Sequence, residues 1–302
     1  MKQTIEPEHG LTFKLDLQEG SRLYAPTPSR QARLLPISPH SYGYFVAGRE
    51  HFTVRDQIRC LYQVFITHKG KGHFVLEDRS FVAEPNTVLL LDCGRPHRYE
   101  SMDGVWEHEW VNFTGSACQV YYDLINPNGA IIHSLTGNRE VAALLREVGD
   151  GMMQQDMVGF VHSSTRIIRL LDAIYSLVME HQRNRMEDQR ANIDRSVTYI
   201  EDHYMDRLTL DRLAQVAFLS KYYYTRAFSK YVGMTPYEYL TTVRLSHART
   251  LLFTTQMSVE EIGWRVGFQG SRNLIRQFKK ATGMTPGEYR RKGAGWESGY
   301  SG

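Results

Sequence analysis

The feature that most restricts the fold of this chain is an internal repeat near its C-terminal end. The segment RAFSKYVGMTPYEYL (226–240) returns fifty residues later as RQFKKATGMTPGEYR (276–290), with Arg, Phe, Lys, Gly-Met-Thr-Pro, Glu and Tyr in register. Each copy follows another short stretch with helical character, LTLDRLAQVAF in the first and MSVEEIGWRVGF in the second. Two short helices joined by a tight turn, occurring twice, are typical of a duplicated helix-turn-helix.

The residues around the repeat indicate how the two units begin and how they are spaced. Ser258 and Glu261 have the spacing of a capping box and predict a helix start there. Residues 236–254, between the units, predict a single helix, roughly 25–30 Å long at 1.5 Å per residue. Such a helix would separate the units by a distance that suits adjacent major grooves, about 34 Å apart on one face of DNA. We therefore expect one polypeptide to read an asymmetric site.

Each predicted recognition helix has an apolar face and a polar, mostly basic face. The residues expected to be buried are Tyr224, Ala227, Phe228 and Tyr231 in the first helix and Leu274, Phe278 and Ala281 in the second. The residues predicted to contact DNA are Ser220, Lys221, Tyr222, Thr225 and Arg226, followed by Ser271, Arg272, Asn273, Arg276, Lys279 and Lys280. Arginine can donate two hydrogen bonds to guanine, and asparagine can pair with adenine. The lysines, including Lys230, suit phosphates, which position a protein without reading sequence.

The charge of the chain is distributed unevenly and agrees with this assignment. Residues 191–302 carry 16 Lys and Arg against 10 Asp and Glu, whereas the first 190 residues carry 20 against 23. A basic C-terminal part favours a polyanionic partner there, and the acidic remainder argues against one elsewhere. One basic helical hairpin alone would be weak evidence, because solvated basic faces are common. Two copies in register predict a sequence-specific DNA-binding transcription regulator.

The N-terminal part has a different periodicity. From about residue 42 to residue 113, short β-rich runs such as LYQVFITH and TVLLLD alternate with turn signals, among them Pro85-Asn86, where Asn86 suits a positive φ. Strands at this spacing predict a small antiparallel barrel. From residue 138 the period becomes helical, and residues 161–182 carry an apolar stripe that either packs as core or forms a dimer seam.

A set of C-terminal residues closely resembles the signature of the AraC/XylS family of bacterial transcription regulators. The matching residues are Ile262-Gly263, Val266-Gly267-Phe268, Arg276, Phe278-Lys279-Lys280, Gly283, Thr285-Pro286 and Tyr289-Arg290, with Arg244 and Ala248 in the linker helix. The resemblance places the family's recognition positions on Tyr222, Thr225, Arg226, Arg272, Asn273 and Arg276. It also implies an activator that recruits RNA polymerase.

Three positions depart from this family pattern. Gly263 stands where Ala is usual, at a helix cost of ~1 kcal/mol. Phe218 stands where the first turn often has Gly, and Leu274 where Phe is common. These departures affect the expected pose on DNA and leave the expectation of DNA binding unchanged.

The N-terminal part is similar to the cupin-type sensor domain of the family's sugar-responsive branch. The similarity lies in THKGKGHF, EPNTVLLLDCGRPHRY and WEHEWVNFTG. It implies a barrel pocket for a small effector, a sugar, lined by Arg55, Tyr99, His108 and Trp110. The strand pattern agrees in part, because residues 106, 108, 110 and 112 share one face of a strand while Glu107 and Glu109 share the other. The same aromatic residues also suit a barrel core, so both interpretations stay open at this point.

The predicted fold class is therefore α+β, with an N-terminal cupin-like antiparallel β-barrel and flanking helices, then an all-α tandem helix-turn-helix domain. The predicted domains are 1–186 for effector binding and dimerisation, 187–193 as linker, 194–292 for DNA binding and 293–302 as a disordered tail. The expected partners are double-stranded promoter or operator DNA, a small-molecule effector, RNA polymerase and a second copy of the chain. No cofactor is expected.

The first ten residues lack the apolar run of a secretory signal, and no apolar stretch approaches the roughly 20 residues of a membrane-spanning helix. The three cysteines, Cys60, Cys93 and Cys118, show no metal-ligand spacing and suit buried, reduced thiols. We therefore expect a cytoplasmic protein without membrane association.

Two other functions fit parts of the pattern. A cupin enzyme would bind a metal through a His-x-His pair, a following Glu and a later His, for which His97 is available. The barrel segment has no His-x-His pair, so we predict no metal site and no enzymatic activity. The second alternative is a regulator that responds to a partner protein and not to an effector. The aromatic, Arg and His content of the barrel argues against it.

Overall fold

The computed structural model describes residues 2–5, 11–55, 61–102, 104–129, 131–154 and 156–297 of the 302-residue chain. The chain divides into two compact units, Met1–Gln182 and Arg183–Gly302. The first contains every described strand, and the described part of the second contains only helices and turns. The predicted α+β class, with an antiparallel β domain before a helical domain, is confirmed.

The first unit is built on two six-stranded antiparallel sheets. The strands are β1 (Lys2–Ile5), β2 (Leu11–Asp16), β3 (Arg22–Tyr24), β4 (Ser38–Ala47), β5 (Phe52–Arg55), β6 (Tyr62–Lys69), β7 (Gly72–Leu76), β8 (Arg79–Ala83), β9 (Thr87–Asp92), β10 (His97–Ser101), β11 (Trp106–Thr114) and β12 (Ile132–Ser134). Their order is β1-β2-β5-β10-β7-β8 in one sheet and β12-β9-β6-β11-β4-β3 in the other. Asn86, in the turn before β9, has φ of 60°, as the Pro-Asn pattern predicted.

Alternation along the strands separates an inner face from an outer face. On β6, Phe65 belongs to the buried cluster between the sheets, whereas Val64 and Ile66 belong to the cluster that includes the helices. The inner cluster also contains Phe74 and Tyr99 from the opposite sheet. Because successive side chains on a strand point to opposite faces, the inner face of each strand can be read from the sequence once one residue is placed.

Three helices complete the first unit: α1 (Cys118–Ile125), α2 (Glu140–Met152) and the first part of α3 (Met157–His203). Their apolar residues share one buried cluster with the outer face of the β6–β9–β11 region. The predicted stripe in 161–182 is helical, and its fully buried members are Ile167, Leu170, Leu171, Ile174, Leu177 and Val178. This stripe is therefore core. Its use as a dimer seam stays a prediction.

Residues 187–193, predicted as a linker, are mostly exposed and lie within α3. The segment HQRNRMEDQRAN contains neither Gly nor Pro, and most of its residues favour helix. Two side-chain pairs four residues apart span it, Arg183–Glu187 at 3.9 Å and Arg190–Asp194 at 4.0 Å. The local sequence thus favours helix even where no core covers it, which we had not predicted.

The predicted disordered tail is partly wrong. Helix α9 runs Pro286–Glu297, so residues 293–297 are helical, and residues 298–302 lie outside the described residues. Extending a helix that has already formed adds one hydrogen bond for each residue fixed, whereas starting one is unfavourable. This allows a glycine-containing end to continue the helix that Pro286 begins.

The second unit contains the end of α3 and six further helices. They are α4 (Leu210–Val216), α5 (Lys221–Val232), α6 (Pro236–Thr254), α7 (Val259–Arg265), α8 (Ser271–Thr282) and α9. Two buried clusters stabilise it, one under α4 and α5 and one under α7 and α8. The tandem helix-turn-helix arrangement, the capping box at Ser258 and the single helix over 236–254 are confirmed.

The repeated Gly-Met-Thr-Pro-x-Glu-Tyr segment joins each recognition helix to the helix that follows it. Gly233 and Gly283 end α5 and α8 in the left-handed conformation, with φ of 83° and 79°, which glycine adopts at little cost. Thr235 forms a capping box with Glu238 at the start of α6, and the corresponding residues at the start of α9 exchange the same hydrogen bonds. The repeat therefore encodes a helix stop and a helix start.

The predicted burial of the recognition helices is correct with two exceptions. Tyr224, Ala227, Phe228, Leu274 and Phe278 are buried. Tyr231 is only half-buried, and Ala281 is exposed, because it lies in the last turn of α8, beyond the residues that form the second cluster.

Candidate DNA interface and effector pocket

Helix α5 presents its predicted DNA-contacting residues along its first two turns. Ser220 is the N-cap residue, and Lys221, Tyr222 and Arg226 are exposed. The Arg226 guanidinium carbon lies 5.7 Å from the centroid of the Tyr222 ring, a cation–π contact. The hydroxyl of half-buried Thr225 donates to the Lys221 carbonyl oxygen at 2.9 Å. The Tyr222 ring and the Arg226 guanidinium thus lie side by side on the exposed face of α5.

Helix α8 presents a more strongly basic face. Arg272, Asn273, Arg276, Lys279 and Lys280 are exposed, and Ser271 is half-buried. The Arg276 Nη2 donates to the Asn273 Oδ1 at 3.0 Å. Within the described part of the chain, the ion pairs shorter than 4.0 Å include none of the four basic residues of this face. Their charges are therefore available to phosphates and base edges.

An acidic residue at the second position of the preceding helix contacts the start of each recognition helix. Asp211 of α4 accepts a hydrogen bond from the Lys221 Nζ at 2.9 Å. Glu260 of α7 accepts from the backbone N–H of Ser271 at 3.0 Å and from the Trp264 indole at 3.1 Å. Hydrogen bonds from Ser271 lower the pKa of Glu260 below its usual value. This carboxylate takes the place of a side-chain cap, which the N-cap residue Gly270 lacks.

The two turns before the recognition helices differ by one residue. In the first, Phe218 has φ of 51° and is 76% exposed, with the Arg195 guanidinium carbon 5.0 Å from its ring centroid. In the second, Gly267 takes the corresponding left-handed position, and Gln269 adds another positive φ of 58°. The Phe218 ring projects into solvent and overlaps nothing in the core, but its positive φ still carries the backbone strain that glycine would avoid.

The departure at Gly263 has a steric reason. A Cβ atom built on Gly263 would lie 2.6 Å from the carbonyl oxygen of Gly270, closer than Cβ atoms approach in real proteins. The corresponding residue of the first unit is Ala214, which is buried and lies before the shorter turn. The longer second turn therefore leaves no room for an alanine methyl group at position 263.

The four predicted effector residues lie on the inner faces of the sheets. Tyr99, His108 and Trp110 are buried and Arg55 is half-buried, next to the buried Tyr99, His97 and Cys93. His108 stacks on Phe65 at 4.8 Å between ring centroids and lies 4.0 Å from the Trp106 ring. The predicted separation of residues 106, 108, 110 and 112 from Glu107 and Glu109 is confirmed by the two clusters. The structure thus brings these residues to one interior.

Several polar atoms in this interior lack hydrogen bonds of good geometry. Within the described residues, these atoms are both ring nitrogens of His51 and His108, both amide atoms of Gln63, the His97 Nε2, the Arg55 Nε, the Trp110 Nε1 and the Asn112 Oδ1. Burial lowers the pKa of His51 to about 4, and burial also lowers the pKa values of His97 and His108. At neutral pH the three imidazoles are therefore neutral and can both donate and accept hydrogen bonds.

His51 and Gln63 were not among the predicted site residues, and His97 was considered only as a metal ligand. Strand alternation was the signal available for Gln63, because residues 63, 65 and 67 share one face of β6. His51 lies just outside β5, where no periodicity applies.

No group of three or more His, Cys, Asp or Glu side chains in the described part of the chain is arranged to hold a metal ion. Cys93 and Cys118 are buried free thiols, and burial raises the pKa of Cys93 to about 11 and of Cys118 to about 12. Cys60 lies outside the described residues. None of the described helices combines the length and apolar character needed to cross a membrane.

Comparison with known proteins assigns both halves of the chain. Residues 38–171 match the model of the AraC-like ligand binding domain, and residues 213–292 match that of a helix-turn-helix domain. The chain belongs to the AraC family of transcription regulators. The DNA-binding domain of AdpA, solved in complex with a target DNA, is 29% identical over 33% of this chain and 90% of that one, with a TM-score of 0.32.

Three curated relatives extend over most of this regulator. The MmsAB operon regulatory protein of Pseudomonas aeruginosa is 24% identical over 267 residues, 85% of this chain and 83% of that protein. The arabinose operon regulatory protein of Escherichia coli is 29% identical over 248 residues, covering 76% and 80%. The transcriptional activator RhaS of Shigella sonnei is 22% identical over 269 residues, covering 83% and 96%. The AraC-family chain is thus a DNA-binding transcription regulator with an attached ligand-binding domain.

Proposed function

We propose that this regulator responds to a sugar bound between its two sheets and then changes how α5 and α8 engage a two-part operator. The observation that carries the proposal is the set of buried polar atoms on the inner sheet faces that lack partners. Buried polar groups in native proteins are nearly always hydrogen-bonded, so this set indicates a ligand that supplies the missing bonds. Aromatic rings beside them suit the apolar faces of a sugar ring.

The proposed effector contacts are Arg55, Tyr99, His108 and Trp110. The relative named for the arabinose operon supports a sugar as the class of effector. Binding would favour one of two arrangements of the protein. The free energy of this population shift is set by the difference between the binding free energies of the effector for the two arrangements.

The proposed DNA contacts are the exposed residues of the two recognition helices. Arg226 and Arg276 are assigned to guanine edges, and Lys279 and Lys280 to phosphates. Helix α6 has 19 residues, about 28 Å at 1.5 Å per residue, which suits two successive major grooves.

The remaining parts of the proposal follow from family membership. The chain acts as a homodimer through helices within 138–182, recruits RNA polymerase as an activator, works in the cytoplasm and has no enzymatic activity. Its domains are 1–186, a linker at 187–193 and 194–292.

The experiment that tests the proposal is selection of DNA from a random pool at fixed salt, with and without a mixture of aldoses. We expect an enriched motif with two blocks about one helical turn apart, and an altered yield when the effector is present. Arg226→Ala and Arg276→Ala should each remove preference at one block, while Arg249→Ala, an exposed position on α6, should leave the motif unchanged. Selection without any motif would contradict the proposal.

A further inference from the structure

Two polar side chains beyond the proposed effector contacts face the interior between the sheets. Gln63 is completely buried, and His51 is 1% exposed. Gln63 approaches the Tyr99 hydroxyl without a hydrogen bond of good geometry. The His51 ring centroid lies 5.3 Å from that of His108 and 6.2 Å from that of Trp106. Both residues therefore border the same interior as the proposed effector contacts.

The polarity of Gln63 has no structural explanation, and His51 has only the Lys14 backbone and the Asp16 carboxylate nearby, with no hydrogen bond of good geometry. A buried amide without partners loses its hydrogen bonds to water and gains none in exchange, which destabilises the folded state. Leucine or methionine at position 63 would fill a similar volume without that cost. Next to it along β6, Phe65 belongs to the apolar cluster between the sheets, so the site itself does not demand a polar residue.

The chemistry of the interior limits what can occupy it. On β11, Glu107 and Glu109 point to the outer face, where they accept hydrogen bonds from Tyr44 and Tyr42, so this strand presents only aromatic, imidazole and amide groups to the interior. An amide and a neutral imidazole each provide a donor and an acceptor, which is the pairing that a hydroxyl group needs.

We propose that Gln63 and His51 are specificity-determining residues that pair with hydroxyl groups of a neutral polyhydroxylated effector, an aldose, in addition to the contacts made by Arg55, Tyr99, His108 and Trp110. This inference rests on the proposed function, because it assumes that the effector occupies the space between the sheets. It goes further by assigning two residues as partners of particular hydroxyl groups.

The test uses calorimetric titration of the full chain with a panel of aldoses and their single-deoxy analogues. Variants are Gln63→Leu, Gln63→Met and His51→Phe, with Ser163→Ala as control, since Ser163 is buried without a partner but lies on α3. For the aldose that binds best, we expect Gln63→Leu to weaken binding at least about tenfold. It should also abolish the discrimination against one deoxy analogue.

A second measurement separates a binding role from a structural one. The melting temperature of ligand-free Gln63→Leu or Gln63→Met should equal or exceed that of the wild type, because an unpaired amide is removed. A large drop in both variants would assign Gln63 to stability and overturn the inference. Ser163→Ala should bind the aldose as the wild type does.

The outcomes distinguish the inference from the proposed function. Binding of an aldose by the wild type, with equal affinity and equal deoxy discrimination in the Gln63 and His51 variants, would overturn the inference and leave the proposed function intact. If no member of the panel binds the wild type, the sugar proposal fails and this assignment fails with it.

Discussion

Substituting Gly263 by alanine tests whether the longer second turn, and not helix propensity, determines the residue at this position. Alanine in a helix is favoured over glycine by about 1 kcal/mol. Against this, the new Cβ atom would lie 2.6 Å from the Gly270 carbonyl oxygen and 3.1 Å from the Ser271 nitrogen. Cβ contacts under 3.0 Å essentially never occur, so α7 and the start of α8 must move apart.

The size of the effect follows from which atoms are crowded. They are backbone atoms of the turn, and the Ser271 N–H is also held by Glu260, so no flexible side chain can move aside. We therefore take the upper end of the cost of overpacking, about 3 kcal/mol. After the gain in propensity, a net loss of about 2 kcal/mol in the free energy of local unfolding remains.

Hydrogen exchange of the full chain measures this effect where it occurs. A loss of about 2 kcal/mol should speed exchange of the protected amides in 258–282 by about thirtyfold, and affinity for operator DNA should fall because Arg272 and Asn273 shift with the helix start. The matched control is Ala214→Gly in the first unit, which loses about 1 kcal/mol of propensity. Both substitutions should destabilise the helix-turn-helix unit in which they lie. Slower exchange in Gly263→Ala would refute the steric argument and show that propensity decides.

Three further predictions concern DNA contacts and pH. Because the Arg276 Nη2 donates to Asn273, Asn273→Ala should weaken the preference at the same base position as Arg276→Ala. In DNA selection, the losses of the double variant should be non-additive. Losses at separate base positions would instead show that Asn273 contacts DNA independently. Asp211→Asn should release Lys221 from its 2.9 Å contact and tighten DNA binding. The slope of log affinity against log salt concentration should steepen by about one unit. An unchanged slope would show that Lys221 does not contact phosphates. Burial lowers the pKa of His51 to about 4, so between pH 6.5 and 4 the imidazole is protonated in the unfolded chain and neutral in the folded one. The free energy of unfolding should therefore fall over this range, by up to ~3 kcal/mol. His51→Phe should reduce that loss in acid unfolding curves, and an identical acid sensitivity would contradict it.

The helical half could be predicted from sequence in detail because its signals are local. The Gly-Met-Thr-Pro-x-Glu-Tyr segment specifies a helix stop, a cap and a helix start within seven residues, and the structure contains each of them twice. Helix α6 begins and ends at the predicted residues. The exception is Gly263, where the family pattern suggested only a propensity cost. The contact with Gly270 depends on how two helices meet across a turn, which no single-residue pattern reports.

The barrel could be predicted only in outline. Alternation placed residues 106 to 112 on the correct faces of β11, but which strands lie opposite each other depends on pairings between distant segments. His51 approaches His108 because β5 belongs to one sheet and β11 to the other. The helical character of residues 187–193 and 293–297 was missed for the opposite reason, since polar or glycine-containing stretches were interpreted as irregular without weighing helix extension.

Helices α5 and α8 have the same length and the same C-terminal joint. Each has 12 residues, each ends at a left-handed glycine, and each is followed by the same threonine-proline start. A chain in which residues 221–232 and 271–282 are exchanged keeps the glycine and the threonine-proline start at both C-terminal joints, and it moves Thr282, whose hydroxyl bonds the Met284 backbone, to the first unit. At the N-terminal joints, Asp211 would face a serine and Glu260 a lysine, both of which can donate to a carboxylate. Such a chain must also repack both clusters, because Tyr224, which is hydrogen-bonded to Ser196, changes places with Leu274. The duplication therefore supplies a common pair of joints, while each helix stays fitted to its own core.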